Sequence, residues 1–305
     1  MKKFTETNIF FRRSESVFIV FCITLMISSC ANLTAVRDFA KQSASLTSGQ
    51  EVIDYWSEWN ERSKEFDDII AKLSTIKGKT PITLPGPINT PSKEETDNVK
   101  ALLLVISMYM NKLGGLAEDD AVDLSKQADG LVASLNKLPS EIPEEKQKKI
   151  NTAYGSIIKL IKLPLDAYRR YKIQEIVKEN DENIQLLIGG LKSSIGSVAK
   201  FIEGEKSGVI NWYHLITEEY PACLNFSSAY QWKKDKESII EPYNKKIAAI
   251  HSFQNALETI GKSHAKIKTD LSSFNTESSK QLFLFLDDAC KQIVSAHEQY
   301  IIAFE

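Results

Sequence analysis

Apolar residues recur at intervals of three and four along most of this chain, the spacing that lines one face of an α-helix. The stripe opens at Leu33, Val36, Phe39, Ala40 and Leu46 and resumes at Val52, Trp56, Trp59, Phe66, Ile70 and Leu73. The second stretch predicts a helix of about seven turns ending at Lys77, because Gly78 supplies a C-terminal stop. Residues 78–91 then carry four prolines and two glycines, which predicts an ordered or extended loop. Ser92 followed by Glu95 has the spacing of a capping box. The helix it opens runs through Val99, Leu102, Leu103, Ile106, Met110 and Leu113 to Gly114-Gly115. Its apolar run Ala101 to Ile106 is too short for a membrane span and predicts the most buried helix of a bundle.

Leu124, Ala128, Leu131, Leu135 and Leu138 predict another helix, terminated by Pro139 and Pro143. Ile150, Tyr154, Ile157 and Ile161 open the next, which Pro164 is expected to kink or restart. From Leu165 the pattern continues through Ile176, Ile184, Leu187, Leu191, Ile195, Val198 and Ile202, the longest helical stretch. Within it Gly189, Ser193 and Ser197 recur every four residues, with Gly190 and Ser194 alongside, so two backbones can approach closely there. Lys192 and Lys200 favour a tight helix crossing inside a bundle over insertion in a membrane.

Residues 203–235 read as irregular. Gly204, Gly208 and Pro221 interrupt the rhythm, and Trp212, Tyr213, Tyr220, Phe226, Tyr230 and Trp232 concentrate aromatics. Two roles are open: a capping subdomain that plugs the bundle end, or a partner-binding surface formed by Trp212, Tyr213, Tyr220, Tyr230 and Trp232. Two strong helices close the chain, with Pro242 expected in the first turn of one and residues 272–279 as the bend of an antiparallel hairpin. No strand alternation is present. The expected fold class is all-α, an elongated antiparallel helical bundle with coiled-coil-like heptad packing.

The first 29 residues differ in kind. Lys2, Lys3, Arg12 and Arg13 precede the uncharged run Val17 to Ile27, the layout of a secretory signal. Leu25-Met26-Ile27-Ser28-Ser29-Cys30 resembles the lipobox of bacterial lipoproteins. That resemblance, confined to about the first tenth of the chain, implies removal of residues 1–29 and acylation of Cys30, so that residues 30–305 form a body anchored in membrane lipid. Two or more acyl chains give stable anchoring where one does not. Ala31 in place of Asp implies, by the enterobacterial sorting rule, the outer membrane with the body facing the periplasm.

Without residues 1–29 the chain has 34 basic and 38 acidic residues, a net charge of −4 and no basic excess of the kind a nucleic-acid binder shows. Cys223 and Cys290 would then be the thiols left in a compartment that permits disulfides. They read either as a disulfide pair or as two separately buried thiols. There is no phosphate-binding glycine loop, no His-Glu-x-x-His, no Cys-x-x-Cys and no nucleophile elbow, so no cofactor, metal ligand or catalytic residue is assigned. His264 falls on the apolar stripe and reads as a satisfied core histidine. The leading expectation is a non-enzymatic lipoprotein of the cell envelope whose body binds a protein partner. The alternatives are a membrane-active protein resembling α-pore-forming toxins and an envelope enzyme with a dispersed site.

Overall fold

The first helix, α1 (33–48), buries Val36, Phe39, Ala40 and Leu46 completely, so the apolar stripe is a core face from its first turn. The structure, a computed structural model, describes residues 33–59, 61–64, 90–118, 123–131, 135, 137–163, 169–219, 226–271 and 276–304. Residues 1–29 and Cys30 lie outside them. Among the described residues every regular element is helical: after α1 come α2 (Glu51–Ser57), α3 (Lys93–Glu118), α4 (Ser125–Asp129), α5 (Glu144–Lys162), α6 (Arg169–Glu219), α7 (Phe226–Asp270) and α8 (Thr276–Phe304).

Local chemistry sets the helix ends. At α3 the Ser92 N–H donates to Glu95 Oε2 at 2.8 Å and the Glu95 N–H donates to Ser92 Oγ at 3.2 Å, a reciprocal cap that contributes about 1 kcal/mol. Glu144 and Glu145 begin α5 and Lys159 and Lys162 end it, matching the helix dipole. Leu163 is extended (φ −67°, ψ 133°), as the residue before Pro164 must be, and the helix stops there. Lys112 of α3 finishes the job by donating its ammonium to the carbonyls of Ile161 (2.7 Å) and Leu163 (2.5 Å).

Cross-helix bonds define the register. Lys192 meets Glu258 (2.5 Å), Gln185 donates to the Gly261 carbonyl (2.8 Å) and Lys268 meets Asp181 (3.0 Å), so α6 and α7 run antiparallel. Thr259 with Gln292 (3.1 Å) and Ser252 with Gln299 (2.6 Å) set α8 antiparallel to α7. Arg37 and Lys41 both reach Glu118 and Ser107 donates to the Ala44 carbonyl (2.9 Å), so α1 and α3 are antiparallel. Ser45 lies 3.5 Å from His297, and Tyr300 accepts the Val52 N–H (2.9 Å) while donating to Glu51 (3.0 Å), so α1 and α8 start at the same end.

Helix α3 fills the centre. Val99, Leu102, Leu103, Val105, Ile106 and Met110 have no exposure, and each such side chain contributes about 1.5–3 kcal/mol of transfer free energy. It is long and apolar enough to cross a membrane, but 78% of its apolar window is buried against protein, which makes it a core helix.

Several expectations are corrected. Residues 203–219 are not irregular: α6 runs unbroken to Glu219 through Gly204 and Gly208, and α7 is helical from Phe226. Burial of Val209 and Tyr213 outweighs the roughly 1 kcal/mol that each interior glycine costs. Pro242 lies inside α7, not in a first turn. It is exposed, as is Ser238, whose carbonyl loses its helical donor, so water can replace the missing bond. The helix expected over Leu124 to Leu138 shrinks to α4, which Gly130 ends. The helix expected from Val52 is interrupted at Glu58 and is helical again at Trp59 and at 61–64, and the Tyr55 carbonyl accepts from Arg62 Nη1 at 2.5 Å. Its continuation over Phe66 to Lys77 and residues 78–89 of the Pro-rich stretch lie outside the described residues.

The close crossing falls on Gly190, alongside the Gly189, Ser193 and Ser197 row, and not on Gly189 itself. A Cβ on Gly190 would sit 2.7 Å from Cδ1 of the buried Ile150 on α5, whereas one on Gly189 meets nothing within 4 Å. Gly189→Ala is therefore expected to raise stability by up to about 1 kcal/mol through helix propensity. Gly190→Ala is expected to lower it by about 1 kcal/mol, because the crowding at Ile150 outweighs the same gain. Urea unfolding of the two variants beside the parent checks the opposite signs.

Candidate functional site

Two buried polar clusters, one groove and one exposed helical arm are the features with chemistry to offer. The first cluster joins α3, α6 and α7. His264 Nδ1 lies 2.8 Å from Asp181 Oδ1 and its Nε2 lies 2.6 Å from the Tyr109 hydroxyl. The carboxylate is acceptor only, so Nδ1 carries the proton and Tyr109 donates to the bare Nε2. Lys268 (3.0 Å) and Gln185 (3.2 Å) donate to the two oxygens of Asp181.

Burial pushes the His264 pKa down in spite of Asp181, and the donors around Asp181, His264 first, hold its carboxyl well below the usual range. The Tyr109 hydroxyl is pushed up, by burial first and then by Asp181. The order hydroxyl, imidazole, carboxylate is that of an acid-base relay. Its reacting end is sealed, however, because Tyr109 is 1% exposed and His264 0%. Here the constellation ties three helices together.

The second cluster surrounds Glu205 of α6. Its carboxylate takes Arg62 Nε at 3.0 Å and Nη2 at 3.3 Å, a bidentate pair, and Tyr55 donates at 3.4 Å. The Arg62 guanidinium lies 3.6 Å over the Tyr55 ring, and Lys246 of α7 approaches the same ring at 5.0 Å. Burial raises the Glu205 pKa and Arg62 opposes the shift. Tyr243 beside it is likewise raised, by burial and then by Glu205.

The groove lies between α1 and α8 and encloses about 470 Å3, with Asp38, Gln42, Phe283, Asp287, Cys290 and Lys291 on its walls. Cys290 is a free, half-buried thiol whose pKa is pushed up to about 11, by burial first and then by Asp38 and Asp287. Such a thiol is a poor nucleophile at neutral pH. Cys223, its partner in one of the two readings of these thiols, lies outside the described residues.

The aromatic set of the 203–235 region divides. Tyr213 is 3% exposed and belongs to the core, which corrects its expected place on a binding surface. Tyr230 is 56% exposed, with Lys234 Nζ 4.9 Å from its ring. Trp212 and Trp232 lie within α6 and α7 with side chains outside the described set, and Tyr220 is outside it altogether. From Tyr230 to Pro242 the described side chains of α7 are almost all exposed, and Tyr243 is the first buried one. The first turns of α7 and the last turns of α6 thus form an arm beyond the level of Glu205. Sequence reasoning found His264 from its stripe position but missed Asp181, Tyr109, Glu205 and Arg62. Among the described residues no group of three or more His, Cys, Asp or Glu is placed to hold a metal.

Comparison with protein-family models, with curated proteins and with solved structures finds no match.

Two measurements test the clusters. The folded pKa of His264 lies below its unfolded value, so its contribution is whole above about pH 6.5 and is lost as the pH falls below that. The urea midpoint is expected to fall between pH 7 and pH 5, at up to about 1.4 kcal/mol per pH unit, and to lose that slope in His264→Gln. Asp181, also lowered, adds a further loss below about pH 4. Glu205→Ala leaves Arg62 and Tyr55 without their acceptor and is expected to cost about 2–3 kcal/mol, read as a lower thermal midpoint.

Proposed function

We propose that this chain is a lipid-anchored protein of a bacterial cell envelope, tethered through Cys30, whose helical body binds an envelope protein as a scaffold or accessory module. The periplasmic face of the outer membrane is its proposed location. The body is read as an elongated antiparallel bundle with coiled-coil-like packing, since α6 and α7, at 51 and 45 residues, extend to about 77 and 68 Å at 1.5 Å per residue. The anchor reading rests on the lipobox resemblance of residues 25–30.

The observation that carries the binding role is the arm of α6 and α7. Tyr230 stands exposed on it, with Lys233, Lys234, Glu237 and Glu241 on the same side of the helix. An aromatic anchor with a charged surround has the make-up of a protein contact surface.

A photo-crosslinking residue at position 230 in intact host cells tests this reading, with radiolabelled palmitate as the companion assay. Capture of one envelope protein, abolished by Lys233→Glu with Lys234→Glu, together with palmitate label lost in Cys30→Ala, is the expected result. Label without a captured protein overturns the binding role and leaves the anchor.

A second reading, a membrane-active helical protein resembling α-pore-forming toxins, draws on the length of α6 and α7. Dye release from vesicles separates it, because a scaffold causes none.

A further inference from the structure

The end of the bundle at which α1 begins is also where bare apolar side chains collect. Arg37 and Lys41 of α1 reach Glu118 at the C-terminus of α3, and Lys112 of α3 holds the end of α5. Phe283, in the second turn of α8, shares the groove wall with Ala35 and Asp38. Of the large apolar side chains exposed among the described residues, Leu163 (57%), Phe283 (39%), Leu284 (56%) and Phe285 (39%) belong to this end.

The run Leu282-Phe283-Leu284-Phe285-Leu286 has an unusual layout. Leu282 and Leu286, four apart, have no exposure and form the core seam, while the three residues between them cover the opposite side of the helix. Consecutive residues on an α-helix turn by about 100°, so Phe283 to Phe285 span an arc of about 200°. A flat protein partner meets only part of such an arc. A fluid that closes around the helix, the acyl and headgroup boundary of a bilayer, meets all of it. Immediately beyond the triplet the solvent side turns polar, with Lys280 and Gln281 before it and Asp287, Asp288 and Lys291 after it.

Cys30 precedes α1 by three residues, a reach of at most about 10 Å. We propose that Phe283, Leu284 and Phe285 form a lipid-inserting surface that seats the bundle on the same membrane leaflet that holds the Cys30 acyl chains. The proposal rests on the anchor reading above for the choice of membrane. The two contacts together fix an orientation, because a single flexible tether leaves the body free to tumble and a second apolar contact removes that freedom. Glu277 and Lys280 lie nearer the start of α8 than the triplet does, so the bundle leans on the side of α8, and the arm carrying Tyr230 lies at its far end.

The full-length chain, purified from membranes of an expressing bacterium, is reconstituted in vesicles of phosphatidylethanolamine and phosphatidylglycerol doped with a photoactivatable phospholipid. Irradiated protein is then mapped by peptide mass spectrometry, which also reads the mass of the Cys30 peptide. Lipid adducts on the peptide spanning 283–285 are expected, falling at least tenfold in a variant with Phe283→Ser, Leu284→Ser and Phe285→Ser. Those side chains are exposed, and an unchanged thermal midpoint shows that the variant folds. Adducts confined to the acylated Cys30 peptide overturn the seating surface and keep the anchor. Adducts on 283–285 with no acyl group on Cys30 keep the surface and overturn the anchor. Cross-links through 283–285 to a second copy of the chain, without lipid adducts, overturn the proposal in favour of self-association.

Discussion

Long helices packed along a repeating apolar seam can slide, since a shift of one heptad exchanges one set of leucines and isoleucines for another. The structure depends on what prevents that sliding. Helix α6 carries two buried carboxylates, Asp181 and Glu205, separated by 24 residues or about 36 Å of helix. Asp181 is held by His264 and Lys268 of α7 and, through His264, by Tyr109 of α3. Glu205 is held by Arg62 and Tyr55 from the segment after α1. Displacing any of these helices by one turn strands a buried charge or an imidazole, at several kcal/mol each. The polar clusters act as pins at two levels of one long helix, and the apolar stripe supplies the adhesion between them.

Close approach completes the specification. Gly190 admits Ile150, and a Cβ on Gly261 would sit 2.9 Å from Gln185 Oε1, so α5 and α7 come nearest to α6 around a short stretch of it. Gln185 then donates to the Gly261 carbonyl, a bond that a side chain at 261 would obstruct. The glycines mark where the register is read, and the pins mark where it is enforced.

Much of the fold is legible in the sequence because helix formation is a local matter. The 3-4 spacing locates the core faces of α1, α3, α5, α6, α7 and α8, and the Ser92 to Glu95 cap is present atom by atom. The failures have physical causes. Gly204, Gly208 and Pro242 are read as breakers on local cost, but burial of Val209, Tyr213 and Tyr243 along the same helices outweighs that cost. In residues 124–138 the reverse occurs. After α4 the Leu135 N–H donates to Asn151 Oδ1 and the Leu138 N–H to Gln147 Oε1, so these two apolar positions are satisfied outside a helix. The pins were invisible for another reason: their partners are 83, 155 and 143 residues apart, beyond any spacing rule.

Sealing the acid-base groups in the interior has a consequence for where function can lie. A carboxylate, an imidazole and a phenol that satisfy one another in the core stiffen the bundle and are not themselves open to a ligand. The unsatisfied surface is displaced to the ends, apolar where α1 begins and aromatic with charged neighbours on the arm of α6 and α7. A rigid body with different chemistry at its two ends transmits position: whatever holds one end sets the height and direction of the other. In the proposed setting that turns helix length into the distance between a membrane and a partner. The pins on α6 then matter to function because a bundle that slipped by a turn would move the arm by about 5 Å.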